Sequence, residues 1–137
     1  MADPADIPSG FFISTDTNNR IAAAPAVGFG PAAFGTVTQL TSKSTTVVVN
    51  AKAGTITMQA ASLASVTSVS FTCTNSAISA TDVVIANQGS GGTAGAYQVA
   101  CISVGAGTSV FRVTNVTGGA LAEAATINFA VIDTYAA

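Results

Sequence analysis

The chain has no histidine, no tryptophan and very little charge. Its 137 residues include four Lys or Arg and six Asp or Glu, 7% in all, where an average soluble protein carries roughly 25%. Without histidine there is no ready general base at neutral pH and no imidazole metal ligand. The acids of the strand-rich region, Asp82, Glu123 and Asp133, sit singly near strand ends or in loops. That is the pattern of turn chemistry or solvated charge, not of two carboxylates converging on a substrate. The chain is therefore not expected to be an enzyme, and no catalytic residue, cofactor or metal site is expected.

The missing charge also bears on partners. Past Arg20 the charged residues are Lys43, Lys52, Asp82, Arg112, Glu123 and Asp133, and they sum to zero. No basic patch is available for nucleic acid, and no basic amphipathic segment for a membrane surface. No apolar run is long enough to span a bilayer. The opening "MADPADIPSGFF" has neither a basic n-region nor an apolar h-region. The chain is accordingly expected to stay in the cytoplasm that makes it. A neutral surface of Ser, Thr, Ala and Gly has little repulsion to keep copies apart, which favours packing against other protein.

Proline is absent after residue 35. All four prolines lie in residues 1–35, with four of the seven Phe residues and no sustained period. A disordered tail usually lacks such anchors. Residues 1–35 are read as an arm that drapes over its own domain or a neighbour, with Phe11, Phe12, Ile13, Phe29 and Phe34 as the side chains that meet a partner. Residues 36–137 form the second unit.

That unit alternates with period 2. In "SVTSVSFTCTN" Val69, Phe71 and Cys73 point one way and Ser70, Thr72 and Thr74 the other. "AYQVACISV" aligns Tyr97, Val99 and Cys101, "SVFRVTNV" sets Phe111 and Val113 against Arg112, and "ATINFAVID" aligns Ile127, Phe129 and Val131. With "GTVTQLTS", "TTVVVNAK", "GTITMQ" and "TDVVIAN" this makes about eight strands. The segments "NQGSGGTAGA" and "VGAGTS" are expected to be hairpin loops, and "MQAASLAS" a short helical turn. No segment has the length of a true helix. The expected fold is an all-β antiparallel sandwich, jelly-roll-like. A β-solenoid is the rival, but no fixed repeat period is found.

The remaining motifs are weak. "GSGGTAG", residues 89–95, leads into a strand with no lysine after it, unlike a phosphate loop. "NVT", residues 115–117, matches a glycosylation sequon by chance in an unexported chain. "TVTQ", "TIT" and "TCT" are scattered, not arranged as a threonine face. Cys73 and Cys101 lie on the apolar phase of their strands and are expected to be buried and reduced. A disulfide between neighbouring strands is the alternative.

The segments "TVTQLTSKSTTVVVN", "GTITMQAASL", "VSFTCTNSAISATDVVIAN", "GGTAGAYQV" and "RVTNVTGGALAEAATINFAVI" together resemble a family of small virion proteins of tailed bacteriophages. The likeness runs from about Thr36 to Ile132, and it lies in the order and spacing of these pieces, since none is a functional signature. It implies a sandwich on the outside of the particle, either a stand-alone head-decoration (cement) protein or a module at the end of a fibre. No catalytic residue carries over. With no repetitive shaft before the domain, the expectation is a cement protein that binds the outer head surface and bridges major capsid protein subunits. A homo-oligomer is the default, a trimer by analogy with jelly-roll virion proteins, with a dimer as the alternative. The competing expectation is a fibre or spike tip that binds a host receptor.

Overall fold

The computed structural model describes Phe29 and residues 31–134. The expected arm residues Phe11, Phe12 and Ile13 lie outside the described residues. A 3-10 turn, Pro31–Ala33, leads into eight strands: β1 (Phe34–Thr38), β2 (Val47–Val48), β3 (Ala53–Thr57), β4 (Ser68–Thr74), β5 (Val83–Gln88), β6 (Tyr97–Gly105), β7 (Thr108–Asn115) and β8 (Thr126–Ile132). Each overlaps a segment whose alternation predicts it, and five of them (β1, β3, β5, β6 and β7) reach one residue beyond that segment. The first strand begins at Phe34, two residues inside the predicted arm. The strands form two four-stranded sheets, β1-β3-β8-β5 (sheet I) and β2-β4-β7-β6 (sheet II). The molecule is an all-β sandwich.

The sheets are mixed, not purely antiparallel. β1 pairs with β3 in parallel and β2 with β4 in parallel, while the other pairs are antiparallel. The reason lies in the connections. From β1 to β6 each strand crosses to the opposite sheet, and β8 returns to sheet I. Same-sheet neighbours such as β1 and β3, or β2 and β4, are thus joined through the opposite sheet rather than by a hairpin, a connection that lets them run the same way. Only β6 and β7 form a hairpin, closed at Ala106–Gly107. Gly107 takes the positive φ of 74° that a tight turn of this kind demands. The other predicted hairpin, "NQGSGGTAGA", is instead a crossing from β5 in sheet I to β6 in sheet II. The predicted helical turn at "MQAASLAS" is absent too. Leu63 there forms an isolated antiparallel bridge to Leu121.

The inward phase is the one read from the sequence. Phe71, Cys73, Phe111, Val113, Ile127, Phe129 and Val131 are all buried, with Ile56 and Met58. Burying one such large side chain stabilises by roughly 1.5–3 kcal/mol. Phe111 of sheet II contacts both Phe71 beside it and Phe129 across the sandwich, at centroid distances of 5.6 and 6.2 Å. Gly54 is the tightest point. Any Cβ there would collide with the carbonyl of Gly35, its parallel partner on β1. A bulge between Cys101 and Ser103 turns Ile102 outward and lets Val104 face the core again.

The ends of the sandwich are closed by buried polar side chains. Asn75 is fully buried. Its Nδ2 donates to the carbonyl of Ala51, and its Oδ1 accepts from the amides of Ala51 and Ala77. At the other end Asn115 Nδ2 donates to the carbonyls of Leu63, Ala64 and Gly119, and its Oδ1 accepts from Thr117. Gln39 donates to the carbonyls of Lys43 and Thr45 and accepts from the Gln59 amide. Lys43, only 4% exposed, donates from Nζ to the carbonyls of Gln59 and Glu123, 2.7 Å each, and lies 5.9 Å from the Tyr97 ring centroid. Burial lowers its pKa, an effect the Glu123 charge opposes.

Two stability outcomes follow from these contacts. Asn75→Ala strands the buried N–H and C=O of Ala51 and is expected to cost roughly 2–4 kcal/mol in urea denaturation, against about 0.5 kcal/mol or less for the exposed neighbour in Ser76→Ala. Val66 holds a positive φ of 52° while 75% exposed, an unfavourable state for a β-branched residue. Val66→Asn, whose side chain tolerates this conformation, should raise stability by about 1 kcal/mol. No change, or a loss, would mean that the turn carries no strain.

Candidate interaction surface

The outer face of sheet I is a surface the sequence did not announce. Register places side chains in rows across four strands. One row is Phe34–Ala53–Ala130–Ile85, and the pair Val83–Ile132 lies beside it. Phe34, Ile85, Val83 and Ile132 are 46–53% exposed. They lie together on one face, and an exposed apolar patch on a monomer often has a use. Large side chains stand at the two edges of the row, and alanines form its floor.

The next rows along the same strands are polar. Thr36–Thr55–Asn128–Asn87 comes first, then Thr38–Thr57–Thr126. The Thr55 hydroxyl donates to Asn128 Oδ1 at 3.1 Å. Here "TVT" and "TIT", scattered in the sequence, align side by side because β1 and β3 are neighbours in register. The face is thus divided, apolar where the chain enters β1 and rich in hydroxyls and amides toward the far end. The outer face of sheet II differs. Its rows carry Ser68, Ser70, Thr72 and Thr74 around one central exposed charge, Arg112, with Val48 and Ile102 exposed singly at its outer strands.

Charge appears only at the rim of the apolar rows. Lys52 precedes β3, Asp82 precedes β5 and Asp133 follows β8, and Lys52 Nζ pairs with both acids. Asp82 is 6% exposed. Its carboxylate accepts from the Ser79 amide at 2.8 Å and the Thr134 amide at 3.2 Å. The Ser79 bond foremost, with help from Thr134 and Lys52, holds its pKa below the usual carboxylate value. Glu123 likewise serves a turn, accepting from the amide and hydroxyl of Thr93. Both acids thus have the structural roles that their positions implied. Tyr97, buried beside Lys43, has its pKa pushed up to about 12 by burial and then by Glu123. Its hydroxyl finds no hydrogen-bond partner among the described residues.

Of the predicted arm anchors, Phe29 and Phe34 lie among the described residues, and both are exposed, at 44% and 53%. Phe34 belongs to β1 and forms one wall of the apolar row. Phe11, Phe12 and Ile13 fall outside. Both cysteines are free, Cys73 buried and Cys101 partly so, and burial pushes the Cys73 thiol up to about 11. The strand β7 runs between them. Two strand spacings, about 9–10 Å, exceed the ~7 Å limit for a disulfide. Asn115 of the "NVT" sequon is fully buried with its amide fully engaged, so it cannot accept a glycan in the folded chain.

Comparison with known proteins adds no relative: no family model, no curated protein and no solved structure matches the chain. The surface must be interpreted from its own chemistry. Among the described residues no three Cys, Asp or Glu gather as a metal site, and no helix is long and apolar enough to cross a membrane.

The charged rim yields a pH test. A carboxyl whose folded pKa is depressed contributes stability that is present above its unfolded value and lost as pH falls through the folded value. Urea stability should therefore drop below about pH 4, and Asp82→Asn should be less stable at neutral pH and show a shallower acid loss. Parallel pH profiles for the two proteins would show that Asp82 is not a contributor.

Proposed function

We propose that the protein is a decoration (cement) protein of a tailed-bacteriophage head, acting as a homo-oligomer that binds the outer surface of the shell and bridges major capsid protein subunits. The observation that carries this reading is the divided outer face of sheet I, uncharged over four strands, with exposed apolar rows beside the point where the N-terminal arm joins the domain. A cement protein works through packed surface alone. Its interface needs an apolar centre with polar groups around it, and weak contacts repeated over a symmetric oligomer add through effective concentration. The neutral composition and the family likeness of the strand segments support the same reading. A trimer is the oligomer proposed, from that likeness, with a dimer as the alternative.

The rival is a fibre or spike tip that binds a host receptor. The aligned Thr and Asn rows favour it, since hydroxyls and amides on a flat face can meet a sugar. Glycan-array binding by the purified protein would support the rival.

The copy number of this chain in purified virions decides between locations. Parity with the major coat protein, or a simple fraction of it, is expected. A ratio of a few per cent would assign it to a fibre or tail, and absence from the particle would end the virion reading. Deleting residues 1–28, which leaves β1 intact, should preserve the far-UV signal of the β domain and weaken capsid retention at least tenfold. Full retention would remove the arm from the interface.

A further inference from the structure

We propose that the apolar rows on the outer face of sheet I are the seat of residues 7–13, "IPSGFFI", from the N-terminal arm of this chain. The inference goes beyond the decoration reading, because it concerns how the chain covers its own surface with no capsid present.

Four observations converge on that occupant. The first is shape. The row Phe34–Ala53–Ala130–Ile85 is tall at both edges and low in the middle, a trough floored by two methyl groups. An aromatic ring fits such a trough, and residues 7–13 supply two in succession, Phe11 and Phe12.

The second is size. A stable interface between two copies needs about 800 Å² from each partner, roughly 20–30 residues a side, and this patch offers four half-exposed large side chains, so a second copy of the same face is a poor occupant. One extended segment suits it better. Four strands span three spacings, about 14 Å, and seven extended residues cover roughly 23 Å.

The third is charge. Residues 7–13 carry none. The nearest charges on the face, Lys52, Asp82 and Asp133, are already paired with one another. Seating the segment therefore strands no ion in an apolar contact.

The fourth is where the arm joins. Phe34 is both the first residue of β1 and one wall of the trough, so the arm leaves the domain beside its proposed seat. The twenty residues between Ile13 and Phe34 reach on the order of 65 Å when extended. That is ample to return to the same face or to cross to a neighbouring copy's.

Photo-crosslinking of the purified full-length chain tests this. Benzoylphenylalanine is placed at Phe12 in one preparation and at Ile13 in another, so that both phases of an extended segment are probed. Mass-spectrometric mapping should find adducts on the stretches holding Phe34, Ala53, residues 83–85 or residues 130–132, within one chain or between two. Ala130→Leu fills the floor of the trough, and Ile85→Glu puts a charge on its wall. Each lies on the outer face, and each should cut the adduct yield at least fivefold with the far-UV spectrum unchanged. Adducts confined to other surfaces, no adducts, or yields that neither substitution lowers would overturn the proposal. No capsid enters the experiment, so its failure leaves the decoration reading standing, and a negative virion assay leaves this one standing.

Discussion

Six of the seven connections between strands pass from one sheet to the other, and this fold depends on satisfying the polar backbone that those crossings carry over the ends of its core. A peptide group taken across an apolar core must find a partner or cost one to three kcal/mol or so. The chain meets that demand with side chains. Asn75 closes one end by binding the 51 and 77 backbones together, while Asn115, Gln39 and Lys43 close the other. The lysine is the least expected member. A buried ammonium is tolerated because two carbonyls and the face of Tyr97 surround it. With the ends sealed by polar contacts to backbone, the outer faces of the sheets are left free for other uses.

Those faces explain how a chain with so little charge can still be specific. Register, not composition, sorts one face of sheet I into apolar rows and hydroxyl rows. Among the described residues Asp82 and Glu123 serve turns, and Lys52, Asp82 and Asp133 form the rim that clamps the starts of β3 and β5 to the end of β8. On the proposed reading, the same neutral face is where the particle and the arm are met. An apolar row framed by paired ions and flanked by threonines resembles an interface in its anatomy, an apolar centre within a polar surround.

The alternation that the sequence displays comes from one physical fact, that a strand buries every second side chain. Hence Phe71, Phe111, Phe129 and Val131 could be placed inward before any pairing was known, and the eight strands follow. Pairing is another matter. Nothing local distinguishes a loop that turns within a sheet from one that crosses the core, so "NQGSGGTAGA" looks like a hairpin. The buried amides were equally hidden. Asn75, Asn115 and the lysine of "TSKST" sit among residues typical of solvated turns, and only the approach of distant loops makes them interior. Val83 and Ile85 were hidden too. Nothing within the run "VVI" marks which members face outward, and alternate ones lie open on the outer face. The threonine rows exist because β1, β3 and β8 are in-register neighbours, which no local stretch of sequence states.

The crossing pattern also governs how the chain must find its fold. A single hairpin, β6–β7, can form from neighbouring residues. Every other ladder joins strands separated by at least one more strand, and β3 waits for β8 from the far end of the chain. Loop closure must be met before such contacts reward it, which makes folding slow for this topology. The converse holds on the way out. Apart from β1, an edge strand that pairs only with β3, the ladders outside that hairpin tie together strands distant in sequence, which favours cooperative opening. A chain of this design trades speed of assembly for persistence once assembled.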